Sequence, residues 1–303
     1  MLRASTPNVL PQTKFNPIPA MKKDLMIGVF SNLPFAAVAP WLRSVHACGF
    51  TGDKVIVAIG VDAGVTARLA AEGFTVISAP ADPAGMRIHM QRFLHIFDFL
   101  KERHPLYRYV ITTDVRDVVF QKNPADYLTR VLDGGPHKLL AVSEAIRIRD
   151  EAWNRNNIVT NFGEYFYQQI SNREVYNVGT LAGEAEYVKD LAGMIFQLSM
   201  ARPDWVADQA AFNLLVNWQP YRDVTRFARL ADGWACNLHV THKPDQFEEF
   251  GPYLLEPRPT IISGEVRNKA GDLFHIVHQW DRVPELVEAV VERYLSPAEL
   301  AEA

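Results

Sequence analysis

The feature that most constrains the fold is an alternation, along the first half of the chain, between short apolar runs and segments with helical periodicity. The apolar runs predict four buried strands, at Leu25–Phe30, Lys54–Ile59, Phe74–Ser78 and Tyr107–Thr112. Apolar residues at helical spacing predict the helices between them, at Ala36–Ala47, Ala63–Glu72 and Met86–Glu102. Strands that alternate with helices favour a mainly parallel sheet with right-handed crossovers. The sequence therefore predicts an α/β fold.

The second half of the chain has a looser pattern. Lys138–Val142 predicts another strand, and roughly thirty polar and aromatic residues from Glu144 onward predict a long loop, which is usually functional. Further elements are predicted as strands at Val175–Leu181 and Leu273–Val277 and as helices at Glu184–Met200, Val206–Trp218 and Pro284–Tyr294. Without an internal repeat or a linker, we expect one domain over residues 24–303. Residues 1–23 hold four prolines and few apolar clusters, which predicts a disordered leader.

Composition excludes several classes of protein. The chain has 303 residues and a formal net charge of −4, whereas nucleic-acid-binding domains usually carry a basic surplus. Its two cysteines, Cys48 and Cys236, are far apart and lack metal-ligand spacing, which is typical of a reducing compartment. No apolar run is long enough for a transmembrane helix. We therefore expect a cytoplasmic protein that binds no nucleic acid.

The segment Asp114-Val115-Arg116-Asp117 follows the fourth predicted strand. In open α/β sheets, ligands bind in the crevice outside the carboxyl ends of the strands. Two neighbouring carboxylates repel each other unless a cation compensates, and Mg²⁺ or Mn²⁺ accepts carboxylate oxygens together with substrate phosphates. Arg116 between them suits a phosphate oxygen or one of the carboxylates. The alternative is structural, because two Asp near an Arg in a turn are often a helix cap and a surface ion pair.

Ordered fragments around this segment resemble those of the GT-A-fold glycosyltransferases. Residues 109–121 read YVITTDVRDVVFQ, similar to a variant in which D-x-R-D-V-V-F-Q replaces the commoner D-x-D motif. The other fragments are Arg92-Phe93, Asn177-Val178-Gly179, Asp208-Gln209 and His278-Gln279-Trp280-Asp281-Arg282. The resemblance covers roughly residues 25–282. It implies a GT-A-like, Rossmann-type sheet flanked by helices, with a smaller antiparallel C-terminal part.

The resemblance also implies roles for particular residues. The metal ligands would be Asp114, Asp117 and His278, although the D-x-x-D spacing leaves open which Asp is the direct ligand. The residues near the nucleotide sugar would be Phe30, Ser31, Asn32, Asp62, Arg92, Asp114, Arg116 and Asn177. The catalytic pocket would hold Asp208 and Gln209, with Glu144 as the second candidate for a general base.

Each of these residues has a structural alternative. Asp62 and Asp208 could be ordinary helix caps, and Asn32 and Asn177 could be turn residues. A lone histidine such as His278 is often structural. His239 and His242 resemble half of a zinc site, but no second pair of ligands follows, so a structural role or a substrate contact is expected. Trp153, Trp280 and Tyr165 could stack on sugar faces, whereas aromatic residues in a domain of this size are more often core.

Together these observations predict a metal-dependent glycosyltransferase. Its cofactors would be Mn²⁺ or Mg²⁺ and a nucleotide-sugar donor, with a UDP-sugar favoured and a GDP-sugar possible. Its acceptor would be a hydroxyl of a glycan, lipid or small molecule, in bacterial glycan or polysaccharide synthesis, and the Asn177 and Asp208 fragments favour retention of the anomeric configuration. Peripheral membrane contact and a homo-oligomer are both compatible with the sequence. The alternatives are a metal-dependent phosphohydrolase or nucleotidyltransferase and a non-catalytic sugar-binding protein.

Overall fold

The computed structural model describes residues 22–81, 87–200, 202 and 206–301. The predicted leader at residues 1–23 lies outside these ranges except for Lys22 and Lys23, and Lys23 already begins the first strand. The predicted start of the third helix at Met86 also lies outside them, and that helix begins at Ile88.

The described residues form strands that we number in chain order. They are β1 (Lys23–Ser31), β2 (Asp53–Ile59), β3 (Thr75–Ala79), β4 (Tyr107–Thr113), β5 (Val118–Phe120), β6 (Leu139–Arg147), β7 (Glu174–Glu184), β8 (Thr225–Ala228), β9 (Ala235–Asn237), β10 (Thr260–Ile262), β11 (Glu265–Arg267) and β12 (Ile276–His278).

The helices are numbered in the same way. They are α1 (Phe35–Ala47), α2 (Ala63–Ala71), α3 (Ile88–Arg103), α4 (Pro124–Leu132), α5 (Ala152–Phe162), α6 (Glu164–Ile170), α7 (Ala185–Ser199), α8 (Ala207–Asn217), α9 (Tyr221–Val224), α10 (Leu238–His242), α11 (Pro244–Phe250), α12 (Pro284–Tyr294) and α13 (Pro297–Leu300). Short 3₁₀ turns occur at His104–Leu106, Ile148–Asp150, Leu230–Asp232, Gly251–Tyr253 and Trp280–Arg282. Within the described ranges, none of the helices combines the length and the apolar character that a bilayer crossing requires.

The main sheet has the strand order β3-β2-β1-β4-β7-β6-β8. The first four strands in this order are parallel, as the alternation of strands and helices predicts. β7 runs antiparallel to both of its neighbours, β4 and β6, and β8 is again parallel to β6. The carboxyl ends of β1 and β4 therefore meet at one edge of the sheet, where a ligand crevice is expected.

Apolar side chains cover both faces of the main sheet. Along β1, Met26 and Ile27 are fully buried and belong to two different core clusters, because successive strand residues point to opposite faces. α1 packs on one face through Trp41, and α3 packs on the other through Phe93. Burial on both faces explains why the parallel strands read as continuous apolar runs in the sequence.

A second, three-stranded sheet with the order β5-β12-β9 positions the C-terminal part of the chain. β12 runs antiparallel to β5, so His278 pairs with Val118, directly after the acidic segment. On its other side β12 pairs with β9, which places His278 opposite Asn237. β10 and β11 form a separate antiparallel pair. The predicted fold class, a mainly parallel sheet flanked by helices with a smaller C-terminal part, is confirmed.

The predicted long loop after Glu144 is wrong. β6 continues through Glu144 to Arg147, and α5 and α6 occupy most of the segment that follows. α5 has buried asparagines at Asn154, Asn157 and Asn161, a helical spacing that apolar periodicity alone does not detect.

Candidate active site

A cleft of about 670 Å³ opens at the carboxyl edge of β1 and β4, a size suited to a nucleotide sugar. It is lined by residues from both halves of the chain: Val29, Phe30, Ser31, Leu33, Ile88, His89, Arg92, Asp114, Val115, Arg116, Asp117, Glu144, Glu151, Trp153, Asn154, Asn177, Val178, Gly179, Val206, Asp208, Gln209, His239, Val240, Lys243, Gln246, His278, Gln279 and Arg282. Eleven of the thirteen site residues predicted from the sequence therefore lie in this lining, and the other two, Asn32 and Asp62, lie outside it.

Asp114, Asp117 and His278 form a compact cluster in the cleft. One ligand atom of each lies within 4.8 Å of the other two. His278 Nε2 is 3.4 Å from Asp114 Oδ2 and 3.6 Å from Asp117 Oδ1. We call this cluster, with the charged residues around it, the cation end of the cleft.

Backbone contacts fix the members of this cluster. The Asp114 amide donates to the Gly179 carbonyl at 2.8 Å, which ties the end of β4 to β7. The Asp117 carbonyl accepts from the Gln279 amide at 2.7 Å, just after β12. Gln279 has a left-handed backbone with φ of +66°, which turns the chain sharply after His278. The three side chains of the cluster are thus held by three different strand ends.

The second nitrogen of His278 is also engaged. Nδ1 lies 2.8 Å from Asn237 Oδ1, and an amide oxygen can only accept. With the amide in this orientation, Nδ1 carries a proton, and Nε2 faces the two carboxylates. Metal-binding histidines almost always donate their other ring N–H to such a partner.

The residues present fit a divalent cation. Two carboxylates and one imidazole are donors that Mn²⁺ accepts, and the carboxylates also suit Mg²⁺. The cluster surrounds a space next to Gly179, where an added Cβ would come within 2.7 Å of both Asp114 Oδ2 and His278 Cε1. Burial disfavours the charge of Asp117, but His278, Arg116 and Arg282 outweigh it and lower the pKa of this carboxyl. Asp117 is therefore ionised, as a metal ligand must be.

Arg92 joins the cation end to the adjoining part of the cleft. Its Nη1 pairs with Asp114 Oδ1, and its Nη2 donates to Asp208 Oδ2 at 2.7 Å. Asp208 is 1 % exposed and lies in the first turn of α8, where its side chain does not cap the helix. Within the described parts of the chain, Asp208 Oδ1 has no hydrogen-bond partner. Such a buried, unpaired oxygen is an expected contact for a substrate hydroxyl.

Side-chain amides surround Glu144 at the adjoining end of the cleft, which we call the amide end (Glu144, Asn154, Asn177, Gln209). Asn177 Nδ2 donates to Glu144 Oε1 at 2.7 Å, and Gln209 Nε2 donates to the same oxygen at 3.2 Å. Gln209 Nε2 also donates to Asn154 Oδ1 at 3.0 Å. The amide Oδ1 of Asn177 accepts from the Gly179 amide at 2.7 Å, which connects this network to the cation end.

Glu144 lies at an irregularity of β6. The next residue, Ala145, has φ of +58°, a left-handed conformation that is uncommon for alanine. The pairing register between β6 and β7 shifts on both sides of this position. Burial raises the pKa of Glu144, and hydrogen bonds from Asn177 and Gln209 only partly oppose it. Strained backbone and a perturbed carboxyl together are typical of functional sites.

The residues predicted to contact the nucleotide divide into two groups. Phe30, Ser31 and Arg116 line the cleft. Asp62 caps α2 by accepting from the Val65 amide at 2.9 Å, which is the structural alternative given above. Asn32 has φ of +52° and donates its backbone amide to the Ile59 carbonyl, as a turn residue does.

Several lining residues were not predicted from the sequence. Glu151 accepts from the Trp153 and Asn154 amides and caps α5, a signal that its position before a helix could have given. Arg282 Nη2 lies 3.8 Å from Asp117 Oδ2, and Lys243 is a further positively charged residue of the lining. His239, for which a structural role or a substrate contact is expected, lines the cleft, and its Nδ1 lies 2.7 Å from Arg282 Nη1. Among the described residues the metal cluster consists of Asp114, Asp117 and His278.

Comparisons with known proteins support the fold. No protein-family model and no curated protein sequence matches the chain. Among solved structures, the chain is similar to apo WbbM, described as a bifunctional glycosyltransferase, with a TM-score of 0.57 and 15 % sequence identity. The match covers 94 % of this chain and 52 % of WbbM, so the chain spans about half the length of that protein. The chain therefore has a fold that is also found in a glycosyltransferase.

Proposed function

We propose that this protein is a metal-dependent glycosyltransferase that moves a sugar from a nucleotide diphosphate donor to a hydroxyl acceptor. The observation that carries the proposal is the cluster of Asp114, Asp117 and His278 within 4.8 Å at the carboxyl edge of the parallel strands. The similarity to a glycosyltransferase fold supports it.

Asp114, Asp117 and His278 would hold Mn²⁺ or Mg²⁺. A cation there supplies the positive charge that stabilises a departing diphosphate. Arg116, which is half exposed, and Arg282 lie on the rim beside Asp117, and their guanidinium groups suit further phosphate oxygens. Phe30 and Ser31 at the end of β1 would contact the nucleoside, with a UDP-sugar favoured and a GDP-sugar possible.

The donor sugar would lie between the cation end and the amide end. The unpaired Asp208 Oδ1 and the amides of Asn177 and Gln209 would bind its hydroxyls. Asp208 is paired with Arg92, and Glu144 is buried and accepts hydrogen bonds from Asn177 and Gln209, so neither carboxylate is freely exposed to act as a general base. This arrangement favours transfer with retention, as the sequence fragments also indicate.

A donor-hydrolysis screen tests the proposal. Release of UDP or GDP from nucleotide sugars is measured with and without Mn²⁺, for the wild type and for Asp117→Asn. We expect metal-dependent release that falls at least about a hundredfold in Asp117→Asn, because the variant loses a charged ligand of the cation. Asp98→Asn is the matched control, since Asp98 is half exposed on α3 and pairs with Lys101 outside the cleft lining.

The same screen distinguishes the alternatives. Metal-dependent release of inorganic phosphate from simple phosphoesters would favour a phosphohydrolase, and nucleotide-sugar binding without turnover would favour a non-catalytic sugar-binding protein. The single domain over residues 24–303, the cytoplasmic location, the identity of the acceptor, and the peripheral membrane contact or homo-oligomer stay predictions.

A further inference from the structure

Of the three aromatic residues considered for sugar stacking, Trp153 alone is both exposed and part of the cleft lining. Its exposed fraction is 45 %. Tyr165 is more exposed, at 68 %, but lies on α6 outside the lining, and Trp280 is 8 % exposed and belongs to the apolar core of the C-terminal part. The structure therefore distinguishes Trp153, as a candidate for ligand contact, from Tyr165 and Trp280, which the sequence alone could not do.

The backbone that carries Trp153 is fixed. Glu151 Oε1 accepts from the Trp153 amide at 3.0 Å, and Glu151 Oε2 accepts from the backbone and side-chain amides of Asn154 at 2.7 and 2.6 Å. Asn154 in turn accepts from Gln209 in the amide end. The start of α5 is thus bound to the polar network of the cleft, so Trp153 occupies a rigid position rather than a loop tip.

Part of the Trp153 indole remains exposed to the cleft. Among the residues that the structure describes, Trp153 hydrogen-bonds through its backbone amide, and its indole forms no aromatic pair and no side-chain hydrogen bond. Next to Trp153 at the start of α5, Asn154 is hydrogen-bonded to Glu151 and Gln209, and all three polar residues line the cleft. Val206, whose carbonyl accepts from Asn157 one helical turn along α5, lines it as well. A flat apolar surface beside such groups matches a pyranose, which has an apolar C–H face and a rim of hydroxyls.

We propose that Trp153 forms the acceptor subsite of the cleft and that the acceptor group bound there is a saccharide whose C–H face stacks on the indole. The inference rests on the proposed glycosyltransferase function and adds the chemical class of the acceptor. A continuous series of contacts connects the two regions. It begins at His278 and Gly179, continues through Asn177, Glu144 and Gln209, and ends at Asn154, the residue next to Trp153. A sugar on Trp153 would therefore adjoin the amide end, where the donor sugar is expected.

Acceptor kinetics with a matched control test this subsite. The donor and metal identified by the hydrolysis screen are combined with methyl glycosides of glucose, galactose and mannose as acceptor probes. Nucleotide release reports total turnover, and mass spectrometry of the disaccharide products reports transfer. The variants are Trp153→Ala, Trp153→Phe and, as control, Tyr165→Ala, an exposed aromatic residue outside the lining.

We expect transfer to at least one methyl glycoside in the wild type. The ratio of transfer to hydrolysis should fall about tenfold in Trp153→Ala and recover in part in Trp153→Phe, because an aromatic face is restored. In Tyr165→Ala the ratio should equal that of the wild type.

Three results would overturn the subsite: an unchanged ratio in Trp153→Ala, the absence of transfer to every glycoside by a wild type that hydrolyses donor, or an equal loss in Tyr165→Ala. The last result would indicate a general aromatic surface, such as one that contacts a membrane. If the wild type hydrolyses no donor at all, the proposed function fails first and the subsite falls with it.

Discussion

The two ends of the cleft are built from different chemistry. The cation end is held by charge: two carboxylates, an imidazole and the guanidinium groups of Arg92, Arg116 and Arg282. The amide end is held by neutral donors, with Asn177 and Gln209 converging on the buried carboxyl of Glu144. Gly179 lies at the junction, since its amide donates to Asn177 and its Cα faces Asp114 and His278.

This difference predicts different sensitivities. Charge-held sites depend on bound ions and on the ionisation of their ligands, whereas an amide network depends on geometry and on the satisfaction of buried polar groups. In the proposed reaction, the cation end would act on the leaving diphosphate and the amide end on the sugar. Three kinds of substitution should therefore have different effects: one at the junction, one confined to the cation end and one confined to the amide end.

The largest effect is expected for Gly179→Ala, which adds a methyl group in the space between the two ends. The new Cβ would lie 2.7 Å from Asp114 Oδ2 and from His278 Cε1, and 2.8 Å from Asn177 Oδ1. These are side-chain atoms, so the ligands should move while the strand persists. We expect donor turnover to fall about a hundredfold or more, since a displacement of about 1 Å in a site can have that effect.

The control for this substitution is Gly135→Ala. Its nearest contact for an added Cβ is the Leu132 carbonyl at 3.6 Å, an ordinary van der Waals distance. Turnover and calorimetric Mn²⁺ binding should both be lost in Gly179→Ala and kept in Gly135→Ala. Normal Mn²⁺ affinity in Gly179→Ala would contradict the assignment of a shared junction.

A smaller effect, confined to the cation end, is expected for Asn237→Ala. Asn237 Oδ1 is the acceptor for His278 Nδ1, and its loss frees the imidazole to change tautomer and orientation. Loss of such a partner typically lowers metal affinity about 10–100-fold. The Mn²⁺ concentration for half-maximal turnover should rise accordingly, and turnover at saturating Mn²⁺ should recover much of its wild-type value. An unchanged Mn²⁺ requirement would show that His278 is not a ligand.

The two ends also differ in how far the sequence predicts them. Asp114 and Asp117 follow a strand with an apolar centre at Tyr109, Val110 and Ile111, so both the strand and the acidic pair can be recognised locally. The amide end depends on Glu144 remaining within β6 despite the left-handed Ala145 and on α5 following it. Buried asparagines at helical spacing resemble a polar loop to any method based on apolar periodicity. The pairing of β12 with β5, which brings His278 to the acidic segment over about 160 residues of chain, is a tertiary fact that only the family resemblance anticipated.

The smallest effect, confined to the amide end, is expected on the pH dependence of stability in Glu144→Gln. Burial raises the folded-state pKa of Glu144 above its ordinary value of 4.5. For a carboxyl of this kind, the contribution to stability is present below the unfolded pKa and is lost as pH rises through the higher folded pKa. The glutamine variant has the same shape, can accept from Asn177 and Gln209, and does not titrate.

The difference in melting temperature between Glu144→Gln and the metal-free wild type should therefore increase as the pH rises from about 4. Each kcal/mol of added stability corresponds to about 2–4 °C in melting temperature. Glu102→Gln, an exposed substitution on α3, is the matched control and should reproduce the wild-type profile. A constant difference between Glu144→Gln and the wild type across this range would mean that Glu144 titrates alike in the folded and unfolded chain. Burial would then not disfavour the charge of Glu144, and the central carboxyl of the amide end would not differ in this respect from a carboxyl in water.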